Sequence, residues 1–157
     1  MRGDDTQEGL SIRNFCNDFS HIGEVMEFGR FIELVSAVSL SNVDFRTGDG
    51  IPNLNQRYKN SVATMITGCI NFPHPGIYWY KIFTNNGVRL VIGGIMLYEG
   101  LEPYPNWASD AVLFTVCEAG LEAIVIAYNE REGSWAIEFS WRQSSGFNAV
   151  PASHFTH

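Results

Sequence analysis

Charge is scarce in this chain. Charged residues make up 17% of its 157 residues, against roughly 25% in an ordinary soluble domain. The balance is acidic: Lys plus Arg is 10, Asp plus Glu is 17, and the net charge is -7. No basic run exists, so the attraction that a phosphate backbone needs is missing and nucleic acid is not expected as a partner. Long apolar runs are also absent. The longest stretches fall far short of the ~20 residues of a membrane-spanning helix, so the chain is not expected to span a membrane. Its first residues, Met1-Arg2-Gly3-Asp4-Asp5-Thr6-Gln7-Glu8, are polar and lack the apolar centre of a signal peptide.

Cysteine is sparse too. Cys16, Cys69 and Cys117 are odd in number and widely spaced, which excludes a paired metal-ligand motif. Cys69 and Cys117 lie within strand patterns, where a buried free thiol is the default. One disulfide plus one free thiol remains the alternative, and the compartment stays open.

Apolar residues are plentiful, at 45%, with aromatics at 13%. A chain of this length with that composition builds a sizeable core in one domain. No repeat, low-complexity tract or linker divides it. Residues 1–21 read as a polar N-terminal arm, whose Ile12, Phe15 and Phe19 dock as a short helix or an irregular strap. Residues 22–157 read as the folded domain. Within it, the stretch Ile22 to Val38 serves a helix or an edge strand equally well.

Period-two segments dominate the rest. Val62, Thr64, Ile66, Gly68, Ile70 and Phe72 share one face. Ile77, Trp79, Lys81 and Phe83 alternate with Tyr78, Tyr80, Ile82 and Thr84. Val112 to Cys117 forms a further short segment. Ile124, Ile126 and Tyr128 share a side, and Trp135, Ile137, Phe139 and Trp141 alternate with Ala136, Glu138, Ser140 and Arg142. Such alternation gives each strand one buried and one wetter face, as in antiparallel sheets. Trp79, Trp135 and Trp141 are expected in the core.

Turn residues punctuate these segments. Pro75-Gly76 opens a run of aromatic and β-branched residues, Asn85-Asn86-Gly87 follows as a tight hairpin loop, and Gly93-Gly94 stops the second strand. Glu118-Ala119-Gly120 and Asn129 to Ser134 mark later turns. The predicted fold is all-β, an antiparallel β-sandwich or barrel.

The chain resembles the PA-fourteen domain family, from about Gly23 to His157. The resemblance is carried by Val43-Asp44-Phe45, Gly76-Ile77-Tyr78-Trp79-Tyr80 and the run from Thr84 to Gly94. Further pieces are Glu118-Ala119-Gly120, Ile124 to Tyr128, Ile137-Glu138-Phe139-Ser140-Trp141 and Val150 to Phe155. The resemblance implies a β-sandwich of the PA-fourteen type, a non-catalytic binding role, and an extracellular or cell-surface setting. In sugar-binding members a pair of adjacent aspartates grips a calcium ion that coordinates sugar hydroxyls. The matching positions here are Asn85 and Asn86. A second calcium loop corresponds to the segment from Asn129 to Trp135. The implied metal ligands are therefore Asn85, Asn86 and Asn129, and the ligand-binding set adds Glu130, Glu132 and Trp135.

Calcium prefers six to eight oxygens, and its affinity rises with the number of charged ligands. Asparagine offers a neutral carbonyl oxygen, so two negative charges are lost. Glu130 and Glu132 restore charge nearby, while Arg131 opposes a cation. The balance points to weakened or lost calcium dependence. Sugar binding without calcium would then use aromatic faces, and Tyr104 and Trp107 on a Pro-braced loop are candidate stacking platforms. Their alternative role is to anchor that loop in the core. His154 and His157 would bind metal only if a third ligand converged.

No serine sits in a nucleophile elbow, and neither strand cysteine has a histidine beside it, so the chain reads as a non-enzyme. Two functions remain. One is a lectin-like or adhesin module that binds a glycan. The other is a structural subunit or protein-interaction module of a larger complex, which keeps the sandwich but not the sugar site.

Overall fold

The computed structural model describes residues 8–16, 32–40, 43–48, 62–84, 87–100, 107–130, 135–143 and 146–157. In chain order the strands are β1 (Leu10–Cys16), β2 (Ile32–Leu40), β3 (Asp44–Gly48), β4 (Val62–Phe72), β5 (Gly76–Thr84) and β6 (Gly87–Ile92). They continue as β7 (Ile95–Gly100), β8 (Trp107–Ala108), β9 (Val112–Val116), β10 (Gly120–Glu130), β11 (Trp135–Gln143), β12 (Gly146–Ala149) and β13 (Phe155–Thr156). A short 3-10 turn, Ala152–His154, precedes the last strand. Among the described residues, no helix is long and apolar enough to cross a membrane.

Two antiparallel sheets make an all-β sandwich. The larger runs β2-β1-β4-β10-β6-β7, with β13 also on β4. The smaller runs β12-β11-β5-β8, with β3 on β11 and β9 on β5. The expected alternation places the core between them. Thr64, Ile66, Ile70 and Phe72 of β4 are buried, as are Ile124, Ile126 and Tyr128 of β10. From the other sheet come Tyr80, Ile82, Ile137, Phe139 and Trp141. Aromatic rings fill much of the gap: Tyr80 stacks on Phe139 at 4.9 Å, and Phe72 meets Tyr78 edge-on at 4.7 Å. Such pairs add about 0.5–1.5 kcal/mol each beyond their buried area.

Three expectations need correction. Leu10–Cys16 is neither a helix nor a strap. It is strand β1, inserted between β2 and β4, with Leu10 and Ile12 buried at 0% and 1%. The alternation of these two apolar residues matches one sheet face, and Ser11 and Arg13, which alternate with them, are more exposed. Second, Asn85 and Asn86 do not close a hairpin. β5 pairs in the smaller sheet and β6 in the larger one, so the chain crosses between sheets there. The tight hairpin is β6–β7, where Gly93 and Gly94 take φ of +57° and +76° between the paired Ile92 and Ile95. Two consecutive positive φ values are what a two-residue hairpin turn requires, and glycine adopts them without strain. Third, Trp79 is 36% exposed, because β5 turns its Tyr80 and Ile82 face inward.

Some smaller readings also resolve. Ile32–Leu40 is a strand, while residues 22–31 lie outside the described residues. Cys69 is a half-buried free thiol on β4, and Cys117 is an exposed one in the turn after β9, not a buried one. Arg89 pairs with Glu99 across β6 and β7, a structural link within the larger sheet. His154 packs edge-on against Trp141 at 4.4 Å. Among the described residues, no group of three or more His, Cys, Asp or Glu side chains is placed to hold a metal ion.

β4 pairs with β1 through Thr67 and with β13 from Cys69 onward, so Gly68 lies at the junction of two partners. A Cβ there would sit 2.6 Å from the Thr156 carbonyl oxygen and 2.9 Å from Leu10 Cδ2. Backbone cannot rotate away as a side chain can. Gly68→Ala is expected to cost about 1–3 kcal/mol, as overpacking does, read as a lower urea midpoint; an unchanged midpoint would contradict this close approach.

Tyr80 carries a buried hydroxyl with no hydrogen-bond partner among the described residues. Burial pushes its ionisation well above the usual range, and neighbouring Tyr78 adds to the shift. The folded state therefore holds the neutral phenol, while the unfolded tyrosine ionises near pH ~10. Stability from this group is present below that pH and is lost as pH rises above it. Tyr80→Phe is expected to match or exceed the native urea midpoint at neutral pH and to lose less stability between about pH 9 and 11. A phenylalanine variant with the same alkaline loss would show that other groups govern it.

Candidate functional site

The crossover after Thr84 organises one end of the sandwich. Thr84, the last residue of β5, is 2% exposed and pairs with both Ile137 of β11 and Trp107 of β8. Gly87, the first residue of β6, lies opposite Asn129 of β10, which also faces Ala63 of β4. Glu130 follows, opposite Val62. Trp135 opens β11 opposite Gly48 of β3. Gly100, where β7 ends, lies opposite Val88. Every strand end that flanks the sequence-implied positions is thus gathered at the same end.

The individual positions are described unequally. Asn129 is placed in full, while Glu130, Trp107 and Trp135 are placed by their strands. Asn85, Asn86, Tyr104 and Glu132 lie outside the described residues. The strands anchor the segments that carry these four: Thr84 and Gly87 flank the Asn pair, Gly100 and Trp107 flank Tyr104, and Glu130 and Trp135 flank Glu132.

Asn129 is the informative residue. It is 5% exposed, and its Oδ1 is buried without a hydrogen-bond partner among the described residues. Leaving a buried carbonyl unpaired costs about 1–3 kcal/mol, so an amide oxygen kept in that state marks a place where a donor or a cation fits. It stands beside Gly87, one residue from the Asn85–Asn86 pair. An amide oxygen is a ligand type that a hard cation such as calcium accepts. The donor type at Asn129 fits that ion; Asn85 and Asn86 add neutral oxygens but no charge.

Ser109 is a residue that the sequence reading missed. It is 3% exposed just beyond β8; its N–H donates to the Ile82 carbonyl at 2.8 Å, and the Ile82 N–H donates to Ser109 Oγ at 3.0 Å. This reciprocal pair clamps the aromatic loop to β5. A lone serine after Trp107-Ala108 carries no motif, so only the pairing reveals it.

A cleft of about 370 Å³ opens at the opposite end, lined among others by Ile95, Phe114, Val116, Cys117, Glu118 and Glu122. None of the sequence-implied residues lines it.

No protein-family profile matches the chain, and no curated protein does. Solved structures do match. The PA14 domain of the MpAFP antifreeze protein superposes with a TM-score of 0.81 at 12% identity, over 99% of this chain and 94% of that one. A PA14 sugar-binding domain from an RTX adhesin gives 0.75 at 16% identity, over 96% and 98%. The Epithelial Adhesin 6 A domain from Candida glabrata, solved with Galb1-3GlcNAc, gives 0.71 at 11% identity, over 99% and 89%. The chain also covers 47% of an anti-sigma factor domain-containing protein, at TM-score 0.74 and 20% identity. It thus spans about half of that protein. At these identities the likeness shows the fold: a sandwich of the PA14 type.

Ser109→Ala is expected to leave the buried Ile82 N–H without its acceptor, at a cost of about 1–3 kcal/mol. Hydrogen exchange at Ile82 should accelerate in the variant. Unchanged exchange there would mean that the clamp contributes nothing.

Proposed function

We propose that the chain is a non-catalytic, lectin-like carbohydrate-binding module that takes its glycan at the crossover end of the sandwich. The observation that carries this reading is the buried, unpartnered Oδ1 of Asn129 beside Gly87. The sugar-binding domain among the structural neighbours supports the same assignment. Adhesin domains among them support an extracellular or cell-surface setting.

Three neutral amides, Asn85, Asn86 and Asn129, provide carbonyl acceptors for sugar hydroxyls and amide N–H donors for ring and hydroxyl oxygens. Tyr104, Trp107 and Trp135, on the flanking segments, would supply aromatic faces for stacking. The same three asparagines would hold a calcium ion, joined by Glu130 and Glu132 from the neighbouring loop. When bound, the ion would coordinate sugar hydroxyls directly. With no carboxylate in the Asn pair, calcium affinity is low and most of the glycan affinity is independent of the ion.

Asn129→Ala removes an oxygen that has no hydrogen-bond partner among the described residues, so the unfolding midpoint should barely move while glycan binding falls by about tenfold or more. Isothermal titration against a panel of galactose- and glucose-containing disaccharides reads this directly. Full binding by the variant would move the site elsewhere. The complementary variant carries Asn85→Asp and Asn86→Asp together. Its two added charges are expected to raise calcium affinity by about tenfold or more over the native chain, and equal calcium titrations for the two would remove the ion from this site.

A further inference from the structure

The outer face of the smaller sheet carries a second set of binding chemistry, well apart in character from the neutral amides. On β5, Tyr80 and Ile82 turn inward and are fully buried, which sends Ile77, Trp79 and Lys81 outward. Ile77 is 61% exposed, Trp79 36% and Leu113 48%. Trp79 is directly opposite Leu113 of β9. On the other side, Trp141 pairs with Tyr80, so one step along the ladder brings Arg142 beside Trp79. Arg142 in turn faces Phe147 of β12. Leu113, Trp79, Arg142 and Phe147 therefore form one row across four strands, spanning three strand spacings or roughly 14 Å.

The charge on this row is opposite to that of the chain. Arg142 is exposed and makes no ion pair among the described residues. Lys81, in the next row, holds its ammonium 4.6 Å from the centre of the Phe147 ring. Elsewhere among the described cations, Arg89 is neutralised by Glu99. Glu138, further along this face, is 5% exposed and already engaged. On a protein of net charge -7, a row carrying Arg142 and an exposed indole, with Lys81 in the next row, sets two cations on one face.

We propose that this face is a second saccharide-binding surface and that it selects acidic glycans bearing uronate or similar carboxylates. The proposal rests on the carbohydrate-binding reading above and extends it to a separate surface. An indole face accepts the C–H side of a pyranose ring. A guanidinium matches a carboxylate with two parallel N–H donors, and the Lys81 ammonium adds a second positive contact. An acidic peptide suits the face less well. Its backbone N–H and C=O groups need partners, and the platform offers side chains but no free strand edge at its centre.

The test titrates an oligogalacturonate and its fully methyl-esterified form into the native protein, Trp79→Ala, Arg142→Gln and Asn129→Ala. Both platform positions are exposed, and unfolding midpoints near the native value check that the variants fold. The acid form is expected to bind the native protein and Asn129→Ala alike, and to lose about tenfold or more in Trp79→Ala and in Arg142→Gln. The ester should bind far more weakly, and rising salt should weaken the acid form. Equal binding of acid and ester, or acid binding that survives both platform variants, overturns the proposal. Acid binding lost only in Asn129→Ala overturns it while leaving the crossover site intact. If no saccharide of either class binds the native protein, the carbohydrate reading fails as a whole. If polyglutamate binds in a Trp79-dependent way and the oligogalacturonate does not, the platform is a peptide surface and the proposal falls.

Discussion

Two residues separate the end of β5 in one sheet from the start of β6 in the other. Three peptide steps reach at most about 11 Å, and packed sheets stand about 10 Å apart. Thr84 and Gly87 are therefore held almost directly over one another, and the two sheets cannot slide or splay at this end. Register then spreads outward from the tie. Gly87 fixes Asn129 beside it, Thr84 fixes Ile137 and Trp107, and these pairings carry β10, β11 and β8 with them. The inward faces of both sheets meet as a consequence, with Tyr80 on Phe139 and Ile124 and Ile126 opposite them across the core. A chain that must cross so directly also brings the strand ends at Thr84, Gly87, Trp107 and Asn129 to one end of the sandwich.

The alternation in β4, β5, β10 and β11 was legible from residue types alone, since a period of two follows from strand geometry. The partner of each strand was not. Asn85-Asn86-Gly87 satisfies the turn chemistry of a hairpin and of a crossover equally, and nothing local in those residues says which sheet β6 joins. That choice is made by Ile124 to Asn129, some forty residues later, which pair with β6 and draw it into the larger sheet. Strand β1 was hidden for a similar reason. Leu10 and Ile12, buried in the sheet, do not stand out beside Ser11, Arg13 and Asn14 until β2 and β4 close on either side. At the crossover end, the family resemblance pointed to Asn129, but only burial shows that its carbonyl oxygen lacks a partner among the described residues.

Trp79 shows the opposite error, a signal present in the sequence and weighed wrongly. It shares its face with Lys81, and a lysine two residues away on a strand marks that face as the wetter one. Tryptophan is apolar enough to suggest the core, and the core already had Tyr80 on the adjacent face. The volume between the sheets settles the competition. Tyr78, Tyr80, Phe139, Phe155 and Trp141 fill it, and Trp79 cannot also turn inward without reversing every residue of the strand.

The exposure of Trp79 is thus a by-product of packing that leaves an aromatic ring where solvent or a ligand meets it. An exposed indole costs free energy relative to burial, and Ile77 and Leu113 beside it add to that cost. Scattered apolar residues on a surface need no explanation, whereas a contiguous group in register does. Lys81 and Arg142 lie within the same group, and the Lys81 ammonium rests over the Phe147 ring instead of extending freely into water. The two ends of the argument then meet in the charge distribution. The crossover end offers neutral amides suited to uncharged hydroxyls, and the outer face offers cations suited to carboxylates. A branched or mixed polysaccharide presents both chemistries on one molecule. If both proposed sites bind, joining them through such a ligand would raise overall affinity by effective concentration, without either site becoming strong by itself.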